Sequence, residues 1–402
     1  MKIKLAILSF FAWTCFSLNS FAQENGRRIV FDFYGDSIDL SYDPASFIDY
    51  KEPLSERSLQ AFYKKISNGS FDTLVNELKA YKIKYKLDDW LYYQLIRKTA
   101  QQISPKADNY HRYTLYKWFF LAGSGYDAIL SIASDTILFY VRSEENIYNI
   151  PYRTSKGKQY VCLNYHDYGS NIDFEKTRFR DVSLPVPGAV YAFSYKVTNL
   201  PNFRPGNYLE KDIRFNYRQH DDYFKVKLNP EIKMLFANYP TVDYSSYFNI
   251  PLSQETYLSL IPFLKEKVKG MKTKKGVDYL MHFTRNAFIF ETDTKAFGAE
   301  KRLSPEQTLL YDQSDCEDRA ALFFYLVKEI YNLPMIVLAF PEHVTVAIKF
   351  SSPTGIPIIY NGERYSVCEP TPQKKELKIG QLIPSLENKP YEVAYAYNPA
   401  AK

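Results

Sequence analysis

Apolar positions along this chain switch between strand and helix spacing, and the order of the switches recurs. Ile29-Val30-Phe31-Asp32-Phe33-Tyr34 alternates as a strand, within a stretch over 28–42 that reads as an edge hairpin. Leu59, Phe62, Tyr63 and Ile66, then Leu74, Leu78 and Tyr81, fall at helix spacing and predict a helix over 55–81. Another starts at Asp88-Asp89-Trp90 and runs through Leu95 and Ile96 to about residue 103. A third covers 111–122, closed by Gly123-Ser124-Gly125. Strands follow at 128–132, 136–141 and 159–164, the last after a turn at Lys156-Gly157. From 182 to 227 the pattern is strand throughout, clearest at 189–197 and 223–228. Helical spacing returns from Ser253 with Leu258, Ile261, Leu264 and Val268, and again over 276–288.

The first and last thirds share one order of elements. Trp118-Phe119-Phe120-Leu121 takes the place of Phe323-Phe324-Tyr325-Leu326, and Tyr160 to Asn164 the place of Tyr365 to Glu369. This pattern predicts a diverged internal duplication around a strand-rich middle. Any helix-then-sheet unit with aromatic strands would show the same order. The expected division is a leader over 1–22, an α+β unit over 23–175, a β-rich connector over 176–240 and a second α+β unit over 241–402. In this alignment His111, Thr136 and Asn164 of the earlier unit stand near the positions of Cys316, His343 and Glu369 in the later one.

Composition narrows the class. Of 402 residues, 46% are hydrophobic and 24% charged, which fits a folded chain and excludes a disordered one. Lys2 and Lys4 precede an apolar run from Leu5 to Phe16, and Ser20-Phe21-Ala22 offers small residues for cleavage before Gln23. Cys15 follows Ala12-Trp13-Thr14, a poor lipobox, so the leader predicts a soluble exported protein, periplasmic or extracellular. No later run is long and apolar enough for a transmembrane helix. Without Lys2 and Lys4 the 51 basic residues become 49 against 45 acidic ones, so the formal charge is +4. That charge, with no basic cluster, argues against a nucleic-acid partner.

The chain past the leader keeps Cys162, Cys316 and Cys368, an odd count that leaves at least one thiol unpaired and builds no disulfide framework. Neither Cys-x-x-Cys nor His-Glu-x-x-His occurs, and no glycine loop for phosphate is visible, so no metal and no cofactor are expected.

One cysteine has a setting suited to chemistry. In Ser314-Asp315-Cys316-Glu317-Asp318-Arg319-Ala320, Asp315 is a good N-cap and Asp318 can complete a capping box. Cys316 then occupies the first helical position, where the helix dipole favours a thiolate. A buried structural cysteine beside a cap would read the same way. His343 opens an alternating strand in which His343, Thr345 and Ala347 share one face and Val344, Val346 and Ile348 the other. After a turn at Asn361-Gly362, Tyr365, Val367 and Glu369 share a face, and Pro370 ends that strand. Cys316, His343 and Glu369 make a nucleophile, a base and an orienter, spaced 27 and 26 residues apart. Each also has a bland reading, as a buried thiol, a surface histidine and a solvated turn residue.

These residues carry a resemblance. Asp315-Cys316-Glu317-Asp318, Pro341-Glu342-His343-Val344 and Cys368-Glu369-Pro370-Thr371 resemble the Gly-Asp-Cys, His-Val and Asp-Pro-Thr motifs of the transglutaminase-like superfamily, in particular its exported Bacteroidetes-type members. The match spans about 253–383, with Leu303-Ser304-Pro305-Glu306 and 315–326 its most specific parts. The resemblance implies a papain-like fold, a central helix on an antiparallel sheet, preceded by the degenerate copy and the β-rich segment. It also implies acyl transfer through a thioester, with Cys316 as nucleophile, His343 as base then acid, and Glu369 as orienter. The substrate would be an amide in a peptide, a protein or a cell-wall-type polymer, and hydrolysis is favoured because water is the abundant acceptor outside the cell. Protein cross-linking, or a catalytically inactive binding or scaffold role, are the alternatives. Glu369 stands where the superfamily usually has Asp, and Ser314 where it has Gly. The Cys316 N–H is a natural oxyanion donor, with Tyr311 and Gln313 as candidates for the second.

Overall fold

Two five-stranded antiparallel sheets carry the architecture, and their strands follow one order. In the first, the order is Tyr152–Ser155, Lys158–Cys162, Thr136–Arg142, Ala128–Ala133, Arg180–Val182. In the second it is Ile358–Tyr360, Glu363–Cys368, His343–Ile348, Met335–Phe340, Glu392–Tyr397. In chain order each sheet therefore runs third, fourth, second, first, fifth. Each is preceded by an apolar helix, Tyr110–Gly123 and Cys316–Tyr331 respectively. The computed structural model describes residues 28–298 and 301–399 of this α+β protein. The expected leader and Cys15 lie outside the described residues.

Register makes the correspondence residue by residue. Tyr140 lies opposite Cys162, and Ala347 opposite Val367. Counting along the strands from these pairs puts Thr136 at the place of His343 and Asn164 at the place of Glu369. The helix starts agree less well with the sequence alignment. Asn109 and Asp315 are both N-caps that accept the N–H of the third helical residue. Tyr110, not His111, therefore stands where Cys316 does. Alignment on the aromatic run falls one residue off here because Trp118 lies nine residues after Asn109 but Phe323 only eight after Asp315.

The alternation of each strand is explained by two buried faces. Leu130, Ile132, Phe139 and Val141 of the first sheet, and Val337, Val344, Val346 and Ile348 of the second, turn inward onto the helices and join one continuous core. The outer faces form small separate clusters, Leu138, Tyr140, Tyr160 and Cys162 on one sheet and Ile336, Leu338, Ala347, Tyr365 and Val367 on the other. Burial of about ten such side chains per sheet, at roughly 1.5–3 kcal/mol each, holds the strands in register. The core runs across the expected boundaries at 175 and 240.

The connector differs from expectation. Residues 189–197 form no strand; Tyr191 makes a single bridge to Tyr126. Their alternation arises because Phe193 and Tyr195 pack on Tyr93 and Trp90, an extended segment buried by aromatic contact instead of by a ladder. A separate hairpin, Leu209–Tyr217 with His220–Leu228, follows and packs Phe215 on Tyr279 and Phe224 on Phe263. The helix expected over 55–81 is two helices, Glu56–Ile66 and Asp72–Lys84, because Gly69 sits at φ +94° in the turn between them. No helix among the described residues is long and apolar enough to cross a membrane.

Candidate active site

The start of helix Cys316–Tyr331 is held from three sides. Asp315 accepts the Asp318 N–H at 3.2 Å and Asp318 accepts the Asp315 N–H at 3.4 Å, the reciprocal capping box expected from their spacing. Arg319, fully buried, donates to the carbonyls of Thr284 (3.0 Å), Arg285 (2.8 Å) and Phe288 (2.9 Å). Those carbonyls close helix Thr273–Asn286, so a cation meets the negative end of that helix and ties it to the start of the thiol-bearing one. Glu317 accepts from Arg302 at 2.7 Å and from the Tyr244 hydroxyl at 3.0 Å. Arg319 and Arg302 were not singled out from sequence; an Arg inside an otherwise apolar helix was the available signal for the first.

His343 and Glu369 meet as their shared strand faces require. His343 Nε2 lies 2.8 Å from Glu369 Oε2, and Glu369 Oε1 accepts the Thr371 N–H at 2.8 Å. The Glu369 side chain is fully buried, and the Glu369 carbonyl accepts from Arg285. Glu369 lies one residue past strand Glu363–Cys368, where the chain leaves the ladder. An ionised Glu369 places the imidazole proton on Nε2 and leaves the Nδ1 lone pair as the basic site.

Cys316 lies against the same strand end. It is half-buried, and the N–H of Val344, the residue after His343, faces its sulfur. Among the described residues no hydrogen bond joins the sulfur to the His343 ring, so two of the three groups are in direct contact. Burial pushes the Cys316 thiol well above its ordinary range, with the Asp315 charge adding to it and Glu317 and Glu369 following. This reverses the lowering expected at a helix N-terminus: desolvation and flanking carboxylates outweigh the dipole, and the resting thiol is neutral. Cys162 and Cys368 are buried, and burial pushes Cys162 up to about 12.

Of the two oxyanion candidates, Tyr311 spends its N–H on the Gln307 carbonyl at 2.9 Å, closing helix Pro305–Leu310. The Gln313 side chain has no hydrogen bond among the described residues, three positions before the thiol. Asp293, Asp315 and Asp318 bring carboxylate oxygens within 4.8 Å of one another behind the helix start. Burial, then Asp315 and Asp293, push Asp318 far above the carboxylate range, and its Oδ1 is already bonded to Leu303 N–H (2.8 Å) and Tyr247 (3.0 Å).

The first unit has different chemistry at the matching place. Asn164 donates to the Tyr110 hydroxyl at 2.8 Å, and that hydroxyl donates to Asp167 at 2.9 Å. A phenol, a threonine and an amide thus replace the thiol, imidazole and carboxylate. No protein-family model matches the chain, and none of the curated proteins does.

Proposed function

We propose that the chain is an exported cysteine acyl-transfer enzyme of transglutaminase-like, papain-like fold that hydrolyses an amide in a peptide or cell-wall-type substrate. The observation that carries this reading is the 2.8 Å contact between His343 and the buried Glu369, at the strand end that the Cys316-bearing helix faces. In this reading His343 Nδ1 takes the Cys316 proton as the sulfur attacks the amide carbonyl. The imidazolium then gives that proton to the leaving amine, leaving a thioester on Cys316. Water, deprotonated by His343, attacks the thioester and releases the acid and the thiol. Glu369 holds the ring and balances the imidazolium charge. The first unit, with the same strand order and none of the three groups, is a duplicated copy kept for binding or scaffolding.

Hydroxylamine tests the step directly, because it intercepts thioesters as hydroxamates. Incubated with a panel of peptide and amino-sugar amides, the protein should form hydroxamate and its Cys316→Ser variant none; hydroxamate from the variant would overturn the reading. A second reading, a non-catalytic module, is favoured by the neutral resting thiol and the lack of a sulfur–imidazole hydrogen bond. It predicts no hydroxamate from either protein.

A further inference from the structure

A cavity of about 310 Å³ opens on the first unit, between helix Asp89–Ile103 and the segment around Met234 and Asn238. Its charged and polar lining is unbalanced. Arg97 donates to Gln94 Oε1 at 2.8 Å and bonds the Tyr113 hydroxyl, yet pairs with no carboxylate among the described residues. Because a guanidinium only donates, this contact fixes the Gln94 amide with its oxygen toward Arg97. Its Nε2 is then a donor, on a side chain 95% buried, and that donor has no partner. An orphaned buried donor of this kind is costly unless a ligand satisfies it.

Lys98 adds a second cation, 4.5 Å above the Tyr34 ring and, among the described residues, bonded only to the Asp32 carbonyl at 3.2 Å. The carboxylates of Asp32 and Glu231 act on it from beyond ion-pair distance. The carboxylate whose charge acts on Arg97 is Asp167, and it is already engaged by Lys106 (2.5 Å), Tyr110 (2.9 Å) and His166 (3.2 Å). Lys117, wholly buried behind the cavity, stands 3.8 Å from that same Asp167, and burial pushes its ammonium down to about 7, so it adds little charge. Among the residues that line the cavity, Arg97 and Lys98 are cations and none is a carboxylate. Its walls are apolar: the Tyr34 and Tyr113 rings, with Met234 70% exposed at the rim.

We propose that this cavity is a binding site for a small carboxylate with an apolar body. The carboxylate would meet Arg97, Lys98 and the free Gln94 amide, and the body would lie between Tyr34 and Met234. A guanidinium fork takes a carboxylate or a phosphate alike; the Tyr34, Tyr113 and Met234 surface beside it favours an anion that carries an apolar body. The site is on the unit that lacks the Cys316 set and stands apart from the proposed chemistry.

Titration calorimetry of the whole protein with benzoate, and separately with inorganic phosphate, tests the proposal. Benzoate should bind saturably at one site, and Arg97→Gln should weaken it by at least about tenfold. Lys98→Gln, a change at the outer side of the cavity, should weaken it several-fold and serves as the reading if Arg97→Gln does not fold. Cys316→Ser should bind benzoate unchanged. Saturable phosphate binding without benzoate binding would overturn the carboxylate assignment. Binding of neither, or benzoate binding indifferent to both substitutions, would overturn the site.

Discussion

His343 Nε2 and Glu369 Oε2 lie 2.8 Å apart, although Glu369 is one methylene longer than the aspartate that the resembled motif carries. The extra length is absorbed at the end of strand Glu363–Cys368, where Glu369 has left the ladder and Thr371 holds its second oxygen. The residue that departs from the resembled motif is thus held at both of its carboxylate oxygens.

Glu369→Gln should keep the side chain's shape and the Thr371 contact but lose the charge that balances an imidazolium. Hydroxamate formation should fall by roughly 10²–10⁴-fold, with little change in melting temperature. Glu369→Asp, too short to reach His343 from this backbone, should lose nearly as much. Full activity in Glu369→Asp would show that the longer side chain has no role.

Asp315 both caps the helix and raises the thiol. Asn caps about as well as Asp, so Asp315→Asn separates the two effects. Alkylation of Cys316 at pH 8 should speed up several-fold while stability changes by less than about 1 kcal/mol. An unchanged or slower rate would mean that Asp315 does not govern the thiol.

Much of this site was legible in the sequence because capping and strand alternation are local. The Asp315–Asp318 pair, the inward face of Val344, Val346 and Ile348, and the shared face of His343 and Glu369 follow from spacings of three and two residues. What depends on distant chain was not legible. The thiol's environment combines burial with Asp315, Glu317 and Glu369, and only the first two of those carboxylates are its neighbours in sequence. The alternation at 189–197 was real, but it recorded burial on Trp90 and Tyr93, which no local pattern separates from strand pairing. Arg97 and Gln94 sit at helix spacing like many surface pairs, and only the fold puts them at the floor of a cavity.

Buried hydroxyls and thiols should make the protein sensitive to alkali. Tyr93, Tyr195 and Tyr247 are buried, and burial pushes each far above the ordinary 10.0. These acids stay protonated in the fold and ionise in the unfolded chain, so the native state binds more protons and stability falls as pH rises. Once unfolded tyrosine ionises, above about pH 10, each group removes roughly 1.4 kcal/mol per pH unit. Absorbance at 295 nm should show these tyrosines ionising together with loss of far-ultraviolet ellipticity. Smooth ionisation of all tyrosines with the fold intact would contradict this.

Gly355 and Gly380 bring two loops together beside the second sheet. A Cβ on Gly355 would lie 1.9 Å from the Gly380 carbonyl oxygen, at φ +68°, and one on Gly380 2.2 Å from the Thr354 oxygen, at φ +89°. Ala at either position forces backbone apart in a left-handed conformation and should cost about 2 kcal/mol or more, read as a lower urea midpoint. A midpoint unchanged in both variants would show that the loops separate freely.

The most direct test of the central claim is peptide mapping after brief alkylation with iodoacetamide at pH 7.5, on the native protein and on His343→Ala. Cys316 should be modified well before Cys162 and Cys368, and His343→Ala should slow it at least about tenfold through loss of its base. Equal, slow modification of all three cysteines, unchanged in His343→Ala, would contradict that claim.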